Sequence, residues 1–160
     1  MNKLIAVLIF FAITVVSFSV LNVKDVLSPA GQSFINGKIG SVPIKLEVAN
    51  NPTTRSRGLS GRIDLKEGEG MLFVFLEPEI QGFWMKDMNF PIDIIWINEK
   101  FKIIGVEKNV SPNTFPTSFY SPAPVKYVIE TPAGYFDRNS LNIGDSISLE
   151  SQNLNFGGTF

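Results

Sequence analysis

Beyond residue 33 the apolar residues come in strand-length runs cut by turn residues, and nowhere with the sustained period of about 3.6 residues that an amphipathic helix of ordinary length needs. In SVPIKLEVAN, Val42, Ile44, Leu46 and Val48 alternate with Pro43, Lys45, Glu47 and Ala49, so one face of a strand is buried and the other wet. FINGKI precedes it, with Asn36-Gly37 read as a hairpin turn. Further runs are MLFVFL (71–76), GFWM (82–85), PIDIIWI (91–97), FKIIGVEK (101–108), KYVIET (126–131) and DSISLE (145–150). Gly70 reads as the entry to one of these strands and Gly144-Asp145 as the turn into the last. Asn51-Pro52 offers a cap and a proline at the first helical position, opening a helix through TTRSRGLSGR that Gly58 and Gly61 limit to about two turns. AGYFDRNSL can add one more helical turn. Seven or eight short strands with so little helix predict one mainly β domain over residues 34–150. The expected form is an antiparallel sandwich, jelly-roll-like, or a partly open barrel, with one or two short helices. Residues 109–125, NVSPNTFPTSFYSPAPV, show neither period, and their prolines and aromatics predict a stiff loop that covers a sheet edge or lines a site.

Ahead of this domain, LIAVLIFFAITVVSFSVLNV (4–23) is uncharged and follows Lys3. As a helix, at about 1.5 Å per residue, it would span about 30 Å, the thickness of a bilayer core. Residues 1–23 are therefore expected to be an apolar helix acting as a signal anchor or, with Ser17 and Ser19 around Phe18 as a cleavage site, a signal peptide. Lys3 would stay in the cytoplasm and the domain would be exported. Residues 24–33 then read as a linker and 151–160 as a C-terminal tail. The expected location is the cell membrane with the domain on the extracytoplasmic side, or a secreted form if the leader is cleaved.

The chain has no cysteine and no histidine, which excludes disulfides, thiol nucleophiles, Ser-His-Asp triads and histidine-ligated metals. Fourteen Lys and Arg against fifteen Asp and Glu leave no basic footprint for nucleic acid. Chemistry is left to carboxylates, Lys, Tyr and hydroxyls. Met71, Met85 and Met88 read as core fillers in preference to a thioether site for copper(I), so neither metal nor cofactor is expected.

Asp93 stands in an apolar run. Alternation puts Ile92, Ile94 and Trp96 on one face and Asp93, Ile95 and Ile97 on the other, and both faces are apolar, so the carboxylate is expected to be buried. A buried carboxylate needs a partner. The candidates are Arg55, Arg57, Arg62 and Lys86, or backbone N–H groups, either of which would pin the helix-loop onto the sheet. Glu130 raises the same question on a strand where it shares a face with Lys126 and Val128. If the two acids converged, they could form an acid/base pair for glycoside cleavage, with Trp84 or Trp96 as a sugar-stacking platform.

Several motifs occur in a fixed order: Arg55-Ser56-Arg57-Gly58-Leu59, Gly70 to Phe75, Phe83-Trp84-Met85-Lys86, Pro91 to Ile95, Val128-Ile129-Glu130 with Ala133-Gly134, and Gly144-Asp145. Together they resemble the domain of unknown function 192 family over roughly residues 40–150. The resemblance implies a compact β-rich domain of the sandwich or jelly-roll type, often exported, and brings no catalytic residues with it. The chain differs where Ser60 stands in place of the family's common Met, and where Asp87-Met88 stands in place of Asn-Thr.

The expected role is that of an exported, membrane-tethered module that binds a small-molecule or envelope ligand through a polar cluster of Arg55, Arg57, Trp84, Lys86, Asp93 and Glu130. The alternatives are a carboxylate-dependent hydrolase of envelope glycans, and an accessory that docks another envelope protein through its edges and the aromatic loop.

Overall fold

The computed structural model describes residues 33–150. The leader, most of the linker and the tail lie outside the described residues, and among those described no helix is long and apolar enough to cross a membrane. The elements in chain order are β1 (Ser33–Ile39), β2 (Val42–Ala49), α1 (Pro52–Arg57), β3 (Glu69–Glu79), β4 (Gly82–Trp84), β5 (Ile92–Ile97) and β6 (Ile103–Val110). A 3-10 turn (Pro112–Thr114), β7 (Ser118–Tyr120), β8 (Val125–Pro132), α2 (Tyr135–Arg138) and β9 (Ile147–Leu149) complete the order.

Seven strands form one sheet in the order β6-β5-β8-β3-β2-β1-β9, and β4 and β7 form a separate pair. The sheet curls until its two edges meet at one end. Lys102 bridges Ser146, Ile103 N–H donates to Asp145 O (3.0 Å), and Ile147 N–H donates to Phe101 O (2.8 Å). The domain is therefore mainly β with two short helices, as expected, and of the forms expected it takes the partly open barrel, as a curled half-barrel, in place of a sandwich of two sheets. Nor is it wholly antiparallel: β2 and β3 run parallel, from Lys45 opposite Glu69 to Ala49 opposite Phe73. A parallel pair needs a crossover of roughly a dozen residues or more. Residues 50–68, with α1 at their start, supply it.

The hairpin turn lies elsewhere than expected. Asn36 and Gly37 sit within β1, opposite Lys45 and Ile44, and the chain turns at Gly40, which has φ +60°. Gly37 is needed for packing: a Cβ there would lie 2.5 Å from the carbonyl oxygen of Ser148, on the strand that pairs with β1 along its other edge. The span 109–125 is also not a plain loop, since it contains the 3-10 turn and β7, whose Ser118, Phe119 and Tyr120 pair with Trp84, Phe83 and Gly82.

Each face of the sheet buries its own core. Inside the curl, Ile39, Leu46, Leu72, Ile95, Ile97 and Ile129 pack with Tyr135 and Phe136 of α2. On the outer face, Met71, Phe73, Ile94, Trp96 and Val128 are covered by Leu59 from the crossover and by Met85 and Phe83 around β4. This explains why all six residues of β5, IDIIWI, are buried. Each such side chain removed from water contributes about 1.5–3 kcal/mol.

Asp93 is fully buried, on the inner face of β5. Its carboxylate accepts three backbone N–H bonds, with Oδ1 taking Asn109 (2.8 Å) and Gly134 (2.9 Å) and Oδ2 taking Phe136 (2.9 Å). Of the two kinds of partner foreseen, the backbone donors are the ones present; neither Arg55, Arg57, Arg62 nor Lys86 bonds to it. What it pins is also different, namely the turn between β8 and α2. The N-cap of α2 is Gly134, which has no side chain to satisfy the first N–H groups, so Asp93 caps that helix from another strand.

Candidate functional site

Glu47 on β2, Met71 on β3, Glu130 on β8 and Ile94 on β5 form one row across the outer face, each opposite the next. Glu47 holds Arg62, whose Nη2 lies 2.7 and 2.6 Å from the two carboxylate oxygens. Glu130 has no such partner. It is 5% exposed, and its Oε2 is buried without a hydrogen bond. Burial pushes its carboxyl up to about 8, against a weaker lowering by the Arg62 guanidinium. Three other buried side-chain polar atoms lack a partner among the described residues, on Trp96, Thr131 and Tyr135, but of these four residues it is Glu130 that lines the pocket beside α1.

That pocket has a volume of about 290 Å³. Its walls are the last turn of α1 with the Gly58 turn that follows, Phe73 and Phe75 of β3, and the segment Gln81–Trp84, with Met88 and Glu130 also lining it. The sequence places α1 by local chemistry. Asn51 Oδ1 accepts Thr54 N–H (3.0 Å), Thr54 Oγ1 accepts Asn51 N–H (3.2 Å), and Pro52 opens the helix. The helix stops at Gly58, with φ +49°, where a Cβ would also sit 3.4 Å from the Phe73 ring.

Arg55 is fixed by a defect in the sheet. Past Val74 the pairing of β3 with β8 breaks off until Glu79, and β2 pairs with β3 only as far as Phe73. The Val74 carbonyl accepts Arg55 Nη1–H instead, at 3.0 Å, and the guanidinium lies 5.2 Å over the Phe75 ring. Strand alternation in β4 then separates two aromatics. Phe83 points down, edge-on to Phe73 (4.8 Å) and Trp96 (5.5 Å), while Trp84, 53% exposed, stands at the rim beside Phe115 (6.0 Å).

Of the six residues singled out from the sequence, Arg55, Arg57, Trp84 and Glu130 line this one pocket. Lys86 is exposed and contributes its carbonyl, which accepts the Ser60 hydroxyl at 2.9 Å and ties the crossover to the end of β4. Asp93 lies on the other side of the sheet: it pairs with Thr131, whereas Glu130 pairs with Ile94, and neighbouring residues of a strand face opposite ways. The acid/base pair required for glycoside cleavage is thus not formed by these two carboxylates. Trp96, at 1% exposed, offers no platform for a sugar either.

The sequence reading missed Phe73, Phe75 and Phe83 as walls. The alternation of Met71, Phe73 and Phe75 in MLFVFL was the available signal, but all three fit a plain core strand equally well. Arg62 was named for the wrong acid, since Glu47 looked like a wet-face residue in SVPIKLEVAN. Among the described residues no three His, Cys, Asp or Glu side chains gather as a metal site.

Two solved structures share this fold. A protein from Sinorhizobium meliloti 1021, provisionally named a transcription regulator, superposes with a TM-score of 0.67 at 28% identity, over 74% of this chain and 93% of that one. A protein of unknown function from Novosphingobium aromaticivorans DSM 12444 gives 0.65 at 24% identity, over 72% and 84% of the two chains. No curated protein matches the chain. The profile of the DUF192 family, described as Uncharacterized ACR, matches residues 34–149, from β1 to β9 and through every wall of the pocket. By that match the chain belongs to the DUF192 family.

Proposed function

We propose that this domain is a non-catalytic binding module that takes a small ligand into the pocket above Glu130, displayed on the outer side of a membrane by the apolar segment 4–23. The observation that carries the reading is Glu130: nearly all buried, with one carboxyl oxygen unpartnered, and on the wall of an aromatic-lined cavity of about 290 Å³. A buried polar atom without a partner is costly, and a ligand that meets it recovers the lost hydrogen bond. The near balance of charge along the chain supports a small ligand over nucleic acid, in contrast to the provisional name of the Sinorhizobium protein.

Trp84 supplies the readout. The chain has two tryptophans, and the other, Trp96, is buried. Titrating the full chain with a panel of sugars, amino acids, amines and organic acids should change the emission of Trp84 for at least one class, and Trp84→Phe should remove that change. A panel that leaves both emission and melting temperature untouched would refute the reading. The membrane location is tested separately, by protease accessibility of the domain in intact cells against lysed ones.

A second reading has its own support. Ile80, Trp84, Phe115 and Tyr120, all exposed, gather on and around the β4/β7 pair, the aromatic face that docking to another envelope protein would use. A photo-crosslinking side chain at position 120 should then capture a discrete protein in cells. Reaction with solvent alone would speak against it.

A further inference from the structure

We infer that the ligand of this pocket, on the reading that it is a ligand site, is a small organic anion whose carboxylate is held by Arg55 and Arg57 while its flat apolar body lies between the aromatic walls. Three observations carry this. First, the four arginines of the described residues divide into two kinds. Arg62 and Arg138 each hold a glutamate, at 2.6 and 2.7 Å, whereas Arg55 and Arg57, both on the pocket wall, form no ion pair among the described residues. Arg55 is moreover already oriented. One of its N–H groups is tied to Val74 O and its guanidinium lies over the Phe75 ring, which leaves other donors of the guanidinium fork for an incoming oxygen pair. Arg57, two positions further along the same last turn of α1, is exposed and also lines the pocket.

Second, the lining holds a single acid, Glu130, and burial keeps its proton in place at neutral pH. It adds no charge that would oppose an anion, and its O–H can donate to a further ligand oxygen. Its neighbours on the flanking strands, Met71 and Ile94, are apolar, and the nearby Arg62 is taken up by Glu47. Third, Phe83 and Trp84 offer apolar ring surface above the buried Phe73, and about 290 Å³ accommodates a one-ring acid. Aromatic faces over a carboxyl would also suit an ammonium ion. That ligand would have to strip the proton from Glu130 and pass two unpaired guanidinium groups, so charge complementarity favours the anion.

Three probes with one ring and one spacer separate the classes: 3-phenylpropionate, 3-phenylpropanamide and 3-phenylpropylamine. Calorimetric titration of the full chain in nanodiscs of zwitterionic lipid should give the propionate an affinity about ten-fold or more above the amide, with the amine weakest. Arg57→Gln should remove about ten-fold of the propionate affinity and little of the amide's, while Arg138→Gln, away from the pocket, changes neither. Raising the pH from about 6 to about 9 should weaken the propionate as Glu130 ionises, and Glu130→Gln should abolish that dependence. Equal affinity for propionate and amide, a preference for the amine, or no heat with the propionate overturns the anion assignment. Amine or amide binding that Trp84→Ala removes would leave the binding module standing with another ligand. Silence of all three probes and of the wider panel together removes both.

Discussion

Glu47 and Glu130 flank Met71 on the same face of the sheet, yet only Glu47 has a guanidinium on its carboxylate. Two acids in one row thus reach opposite electrostatic ends: one is an ion pair and the other a protonated acid facing a cavity.

The pH dependence of stability follows from that difference. An unfolded Glu releases its proton near 4.5, whereas folded Glu130 holds it to about 8. Between these values the folded state binds more protons at Glu130, so the stability this group contributes is full below about 4.5, falls as pH rises, and is lost above about 8. The loss is on the order of 3–5 kcal/mol. Glu130→Gln should remove most of this slope and be the more stable protein at high pH. Urea denaturation of both proteins across that range measures it, and parallel curves would mean that Glu130 is not the titrating group.

Removing the Asp93 carboxylate strands three backbone donors at once. Asp93→Ala should cost about 3–5 kcal/mol, and Asp93→Asn less, because the amide keeps one acceptor. Hydrogen exchange should also quicken at Gly134 and Phe136, whose N–H groups it holds. An unchanged melting temperature would contradict this capping role.

Arg62 tests the paired acid. Arg62→Met leaves Glu47, 7% exposed, as a buried ion without a partner and should destabilise by about 1–3 kcal/mol. Adding Glu47→Met should restore most of that, since it is the unpaired charge and not the lost contact that costs stability. Additive losses in the double variant would exclude this account.

Gly37 tests the closure of the curl. Gly37→Ala places a methyl group against the backbone of β9 and should cost about 1–3 kcal/mol, with the amides of β9 exchanging faster than those of β2. If exchange rises evenly through the sheet, the strain is not local to that edge.

Features governed by short-range physics were legible in the residues alone. Strand-length alternation marked most of the sheet, Asn51-Pro52 and Gly58 marked α1, and a carboxylate between two apolar faces marked Asp93 as buried. Such signals reside in neighbouring residues, where side-chain period and backbone sterics act without regard to the rest of the chain. Long-range packing set which strands are neighbours, made one pair parallel, kept Asn36-Gly37 in a strand and not a turn, and turned Asp93 and Glu130 opposite ways. It alone brought α1, β3 and β4 over Glu130 to form a pocket, and gave Asp93 its donor from Phe136, 43 positions along the chain. Several pairings satisfy the same local alternation, and the one adopted is selected by how both faces of a single curled sheet can be covered at once.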